Sequence, residues 1–190
     1  MFNDPILQKL YQQYGPHKFE DKSDRLMKEL IEAIISQQLS NKAADTIYSR
    51  FLKLFRCEAF PTAEQILKIN VGKLRGAGMS YAKASYIKGI AKTFKEKQIA
   101  VEQIKKMSDE EVIETLTNIK GVGKWTAEMI LIFTLNRPDV FSMGDAGLRR
   151  AIKNLYKLEK DRDILKLTEE WKPFRSHASW YLWRSLKNRP

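Results

Sequence analysis

The 190-residue chain is short of cysteine, of long apolar runs and of acidic charge, and each shortage removes a class of protein. Its single cysteine, Cys57, cannot by itself make an intramolecular disulfide, a four-cysteine zinc site or a cysteine-ligated iron-sulfur cluster. A reducing compartment fits. The N-terminal stretch MFNDPILQKLYQQYG has no basic region followed by a long apolar one, and no segment is apolar over the length that a bilayer demands. The expectation is a soluble intracellular protein, in the cytoplasm or nucleoid of a prokaryote or the nucleus of a eukaryote. Convincing period-two alternation is missing as well, and so is any low-complexity linker, which argues against a sheet.

What is present is a core and a surplus of positive charge. With 43% hydrophobic and 11% aromatic residues, 190 residues suffice for one or two compact domains. Thirty-four Lys plus Arg against 23 Asp plus Glu leave a net +11, which favours a polyanionic partner, nucleic acid ahead of an acidic membrane surface. The hydrophobic period is helical: LMKELIEAIISQQ (26–38) and NKAADTIYSRFLKLF (41–55) place apolar residues three and four apart. Thr62 is a candidate N-cap for TAEQILKI, and Ser108 with Glu111 has capping-box spacing before another helix. The predicted architecture is all-α with short connections.

Two segments echo each other. LRGAGMSYAKASYI (74–87) and IKGVGKWTAEMI (119–130) share an apolar residue, a basic residue, Gly-x-Gly and an alanine four positions past the second glycine. Each reads as a hairpin between helices, where glycine permits positive φ and close approach while the next helix offers free N–H groups to an anion. An isolated Gly-x-Gly is by default a plain helix-turn-helix corner. Lys120 and Lys124, which bracket the second hairpin, shift the balance toward phosphate by adding diffuse attraction. A nucleotide-binding P-loop fails, since Asn118 stands where its first glycine is required and Trp125 replaces Ser or Thr after Gly123-Lys124.

Beyond the second hairpin, Asp145 is a lone carboxylate among Ser142, Met143, Gly144 and Ala146. Helix capping before AGLRRAIKNLY accounts for it at the level of sequence. The functional alternative, compatible with capping, is a carboxylate that stabilises positive charge developing on the sugar of a flipped-out nucleotide. Arg149, four residues on, has three readings: a partner for Asp145, a phosphate contact, or a solvated helix face.

LTNIKGVGKWTAEMILIF followed by NRPDVFSMGDAGLRRA resembles the helix-hairpin-helix DNA glycosylases, and more narrowly their 3-methyladenine DNA glycosylase II, or alkylpurine, branch. AIISQQLSNKAADTIYSRF, LRGAGMSYAKASYIKGIA and WKPFRSHASWYLWRSL resemble further signatures of that branch, so the likeness spans about residues 30–186. The fold implied is two all-helical subdomains around a DNA-binding cleft. Residues 1–35 with 146–190 are expected to form one, and residues 36–145, carrying the helix-hairpin-helix, the other. The N-terminal mixed α/β domain of some bacterial members is not expected in this length.

Carried over residue by residue, the resemblance makes Asp145 the catalytic aspartate and Gly121 and Gly123 the phosphate-contacting glycines of a hairpin over 119–124, with Lys124 as an added DNA contact. Trp125 falls where bifunctional glycosylase/lyases carry a nucleophilic lysine; an indole cannot form a Schiff base. Gln38 matches the wedge that fills the gap left by a flipped base, and is otherwise an ordinary helix-terminal polar residue. Trp183 matches an aromatic that stacks on the damaged base, whereas Met129 sits where a similar bacterial member has a tyrosine in the base pocket. Phe174, Trp180 and Tyr181 are core by default. The resemblance implies excision of alkylated purines from double-stranded DNA by a monomer that needs no metal and no cofactor, with the hairpin carbonyls as the place for a monovalent cation. Two rivals stay open: a non-catalytic helix-hairpin-helix DNA-binding module, which needs neither Asp145 nor the aromatics, and a glycosylase for oxidised or mismatched bases.

Overall fold

The computed structural model describes residues 2–55 and 59–187; Cys57 lies outside them. Among the described residues there are helices and no strand, as the hydrophobic period predicts. In chain order the helices are α1 (Pro5–Tyr14), a 3-10 turn (Ser23–Arg25), α2 (Leu26–Ser36), α3 (Asn41–Lys53), α4 (Ala63–Lys68), α5 (Val71–Gly76), α6 (Tyr81–Lys95), α7 (Val101–Ile104), α8 (Asp109–Thr117), α9 (Lys124–Phe133), α10 (Ala146–Tyr156), α11 (Asp161–Glu169) and α12 (Arg175–Lys187).

The starts of these helices are encoded locally. Ser40, Thr62, Asn70, Ser80, Ser108 and Asp145 each accept a backbone N–H of the first turn they precede. Thr62 with Gln65 and Ser108 with Glu111 complete capping boxes. Each such cap contributes about 1 kcal/mol to its helix.

The chain divides into two units, Lys22–Ile130 and Met1–Asp21 with Leu131–Pro190. The sequence expectation set the divisions at 35/36 and 145/146; the structure sets them at 21/22 and 130/131. The first shift follows from α2, whose Leu30, Ile31, Ile34 and Ile35 are buried and which packs on α3 and α6, so it belongs with the central segment. The second follows from residues 137–140, which are tied to the start of α12 by side-chain hydrogen bonds.

In the central unit α6 is the helix that α2, α4 and α5 pack against, with Ala84, Ile87, Ile90 and Ala91 buried along it. In the other unit α12 packs on α1 and α10. Its core joins Leu7 and Leu10 of α1, Leu148, Ala151 and Ile152 of α10, and Ala178, Tyr181 and Leu182 of α12. Trp171 is buried in the same cluster and donates its indole N–H to Asp4 Oδ2 at 3.3 Å. Tyr181 is buried with its hydroxyl donating to the Gly15 carbonyl, and Phe174 and Trp180 pack against the cluster, so these three aromatics are core as expected.

Candidate active site

Asp145 is the N-cap of α10, in extended backbone, and only 8% exposed. Its Oδ1 accepts the Leu148 N–H at 2.7 Å and the indole N–H of Trp183, from α12, at 2.9 Å. Capping is therefore real here, and it delivers a carboxylate to the first turn of a helix, where the dipole favours negative charge. Arg149 does not pair with Asp145: its guanidinium lies 2.7 Å from Asp161 Oδ1 at the start of α11. Four residues on from an N-cap, its side chain leaves the helix on the face that α11 supplies with a carboxylate.

The loop before Asp145 is held by groups that sequence reasoning overlooked. Arg175 binds Asp139 through two guanidinium nitrogens at 2.8 and 2.9 Å and donates to the Asp139 carbonyl at 3.0 Å. Ser176 donates to the Arg137 carbonyl at 2.6 Å and accepts the Val140 N–H at 3.0 Å. Asp139, the other carboxylate of this loop, is thus committed to a bidentate pair. A basic residue 36 positions away gave no spacing signal for it.

An aromatic row also escaped the sequence reading. Phe133, 37% exposed at the end of α9, has its ring centroid 5.6 Å from that of Trp183, and Phe19 lies 5.6 Å beyond in an edge arrangement. His177 meets Phe19 at 5.1 Å, and His17 stacks on Trp180 at 3.9 Å. Burial lowers the pKa of both imidazoles, and for His17 the facing His177 lowers it further. These contacts join the segment after α1 to α12, a pairing across the whole chain that no local period announces.

On the central unit, the hairpin joins α8 to α9. Gly121 has φ +96°, and a Cβ there would lie 2.4–2.5 Å from ring carbons of Tyr86 on α6, so no other residue fits without moving that ring. Gly123 is exposed and meets nothing within 4 Å. In the echoed segment it is the second glycine, Gly78, that takes positive φ (+107°), against Ile47. The two segments share composition and helix-turn-helix layout but not the glycine that turns the chain.

Gln37 donates its amide to the Gly121 carbonyl at 3.0 Å, which fixes the turn after α2 to the hairpin. From α6, Lys83 donates to the carbonyls of Ile35 at 2.8 Å and Gln37 at 2.7 Å, closing the C-terminus of α2; burial lowers its pKa. On this braced turn Gln38 has φ +58° and is exposed, and Leu39 beside it is 38% exposed. Lys83 sits inside the first echoed segment, but the basic residue common to both segments is Arg75, so no spacing marked Lys83. Lys124 is exposed and 4.0 Å from the Glu128 carboxylate, a loose i,i+4 pair. Trp125, next to it, is 47% exposed, and Met129 is half-buried. The expected residues therefore fall into two groups: Asp145 with Trp183 on one unit, and Gln38, Gly121, Gly123, Lys124, Trp125 and Met129 on the other.

Residues 31–174 match the HhH-GPD superfamily of base excision DNA repair proteins, and the chain belongs to that family. Among known proteins it is 40% identical, over 95% of its own length and 81% of the relative's, to DNA-3-methyladenine glycosylase 1 of Schizosaccharomyces pombe. Among solved structures it resembles the S. pombe 3-methyladenine DNA glycosylase in complex with abasic DNA, with a TM-score of 0.86, 37% identity, and coverage of 97% of this chain and 93% of that one. It also resembles DNA-3-methyladenine glycosidase of Bacillus halodurans, with a TM-score of 0.80, 30% identity, and coverage of 98% and 91%.

Proposed function

We propose that this chain is a monofunctional DNA glycosylase that extrudes alkylated purines of the 3-methyladenine and 7-methylguanine type from double-stranded DNA and hydrolyses their N-glycosidic bond. The observation that carries the mechanism is Asp145, a nearly buried carboxylate on the first turn of α10 in a chain of the base excision superfamily. The names of these relatives and the abasic DNA bound by one of them support the same reading.

N3- or N7-alkylation makes the purine cationic, so it leaves as a neutral base by taking the electron pair of the glycosidic bond, without a strong general acid. C1′ becomes oxocarbenium-like, and ionised Asp145 stabilises it. Water then supplies oxygen to C1′ and releases its proton to the carboxylate or solvent, leaving an abasic site. Electron-rich aromatic faces attract the cationic base, and binding of the base is assigned to Trp183 on one unit and to Trp125, with Met129 one turn further along α9, on the other. Damaged bases stack and pair less well, which lowers the cost of extrusion.

The hairpin supplies DNA affinity. The first N–H groups of α9 follow Gly123, and Lys124 adds charge, so a phosphate is the fitting ligand there, while Gln38 on the braced turn after α2 serves as the wedge. The reaction calls for no cofactor. The carbonyls of Ile119 and Gly121 accept N–H groups from Val122 and Gln37, and the hairpin carbonyls are the place assigned to a weakly held monovalent cation.

Incubation with methylated DNA and identification of the released bases by mass tests the assignment. Release of 3-methyladenine and 7-methylguanine is expected, with the strand uncut until alkali is added. Borohydride during turnover is expected to trap no protein–DNA adduct, because position 125 offers no amine. Release confined to oxidised or mismatched bases, or binding without release, would overturn it.

A further inference from the structure

The proposed mechanism uses the ring face of Trp183, and the polar edge of the same indole is committed elsewhere. The indole N–H and the Leu148 N–H converge on the same oxygen, Oδ1 of Asp145, at 2.9 and 2.7 Å. One donor belongs to the helix that Asp145 caps; the other arrives from α12, 38 residues away in sequence. A single cap bond leaves a carboxylate free to swing about it. A second donor from another direction fixes the rotamer, and with it the location of the charge.

Gly147 gives independent support. A Cβ at this position would lie 3.0 Å from Asp145 Oδ1, 3.2 Å from Trp183 Cδ1 and 3.3 Å from Nε1. Its φ is outside the positive range, so the backbone does not ask for glycine. Glycine is also a poor helix former, and this one sits in the first turn of α10. What it provides is the space in which the indole reaches the carboxylate. The ring is also held by packing: α12 lies on α10, and Phe133 tilts against the indole at 5.6 Å and 33°.

We propose that Trp183 is a positioning residue for Asp145, acting through its indole N–H across the space kept open by Gly147, separately from any contact of its ring with a base. The inference rests on the reading of Asp145 as the catalytic carboxylate. Stabilisation of a developing cation depends on a charge already in place, and a misplacement of about 1 Å can cost on the order of 100-fold in rate.

The direct test replaces Trp183 by benzothienylalanine, which keeps the bicyclic ring and its stacking face but puts sulfur in place of N–H. The single-turnover rate of base release from methylated duplex is expected to fall about 10-fold, with the affinity for that duplex within about 2-fold of wild type. Gly147→Ala is expected to slow release to a similar extent, and in the double variant the two losses are expected not to multiply, because they break the same contact. Thermal melts of each variant establish that it is folded. A benzothienyl variant at the wild-type rate, with Asp145→Asn inactive, overturns the positioning role while leaving the catalytic reading of Asp145 intact. A variant that loses affinity instead of rate makes Trp183 a stacking residue only, and also overturns it. Full activity of Asp145→Asn would remove the catalytic reading and this inference together.

Discussion

On the proposed mechanism, Asp145 carries two duties that substitution can separate. The cap bond to Leu148 needs an oxygen acceptor, whereas stabilising a cationic C1′ needs a charge. Asp145→Asn keeps the acceptor and loses the charge, so the melting temperature is expected to stay near wild type while base release falls by about 100-fold or more. Asp145→Ala loses both, and is expected to cost about 1 kcal/mol of stability besides the activity. Chemical denaturation of the two variants beside single-turnover release checks both statements; equal stability loss in Asn and Ala would show that the cap bond contributes nothing. The neighbouring charges show why a residue has to be judged in place. Asp139 and Arg149 have the chemistry for catalysis or phosphate binding, yet their partners are Arg175 and Asp161.

Among the elements, the hairpin and the turn after α2 are the most tightly specified. Three side chains that are remote in sequence define them: Tyr86 closes over Gly121, the Gln37 amide holds the Gly121 carbonyl, and Lys83 closes the end of α2. Gly121→Ala puts a methyl group into the Tyr86 ring at a backbone angle that alanine resists, and is expected to cost about 1–3 kcal/mol. Gly123→Ala meets open space and is expected to be neutral in stability. Thermal unfolding of the pair checks this, and DNA binding by the stable Gly123→Ala variant then reports on the hairpin surface alone. Substantial destabilisation by Gly123→Ala, or none by Gly121→Ala, would reverse the roles assigned to the two glycines.

For the molecule as a whole, the net +11 sets how it meets DNA. Affinity for duplex is expected to fall steeply and linearly on a log–log plot against salt, by roughly 10³-fold or more between 50 and 200 mM if about six phosphates are neutralised. Lys124 stands 75% exposed, at the outer 4.0 Å limit of an ion pair with the buried Glu128, so its ammonium is open to a phosphate. Lys124→Ala is therefore expected to weaken binding alike for damaged and undamaged sequences and to reduce the slope by about one ion. A titration series in salt on both duplexes checks it; a sequence-dependent loss would make Lys124 part of base recognition instead.

Much of this protein is determined within short stretches of its sequence. Helical periods, caps at Ser40, Thr62, Ser108 and Asp145, and the Gly-Val-Gly hairpin depend on residues within a turn or two of each other, where spacing and backbone stereochemistry decide the outcome. The family and its chemistry were legible for the same reason, since the hairpin and Asp145 form one contiguous signature. Only the tertiary structure decided which glycine of each pair turns the chain, which carboxylate of the 139–145 loop is spent in an ion pair, and that the indole of Trp183 holds Asp145. Those outcomes depend on helices folding back from far along the chain, α6 onto the hairpin and α12 onto α10. A side chain's partners, unlike its helical phase, are set by what arrives in space.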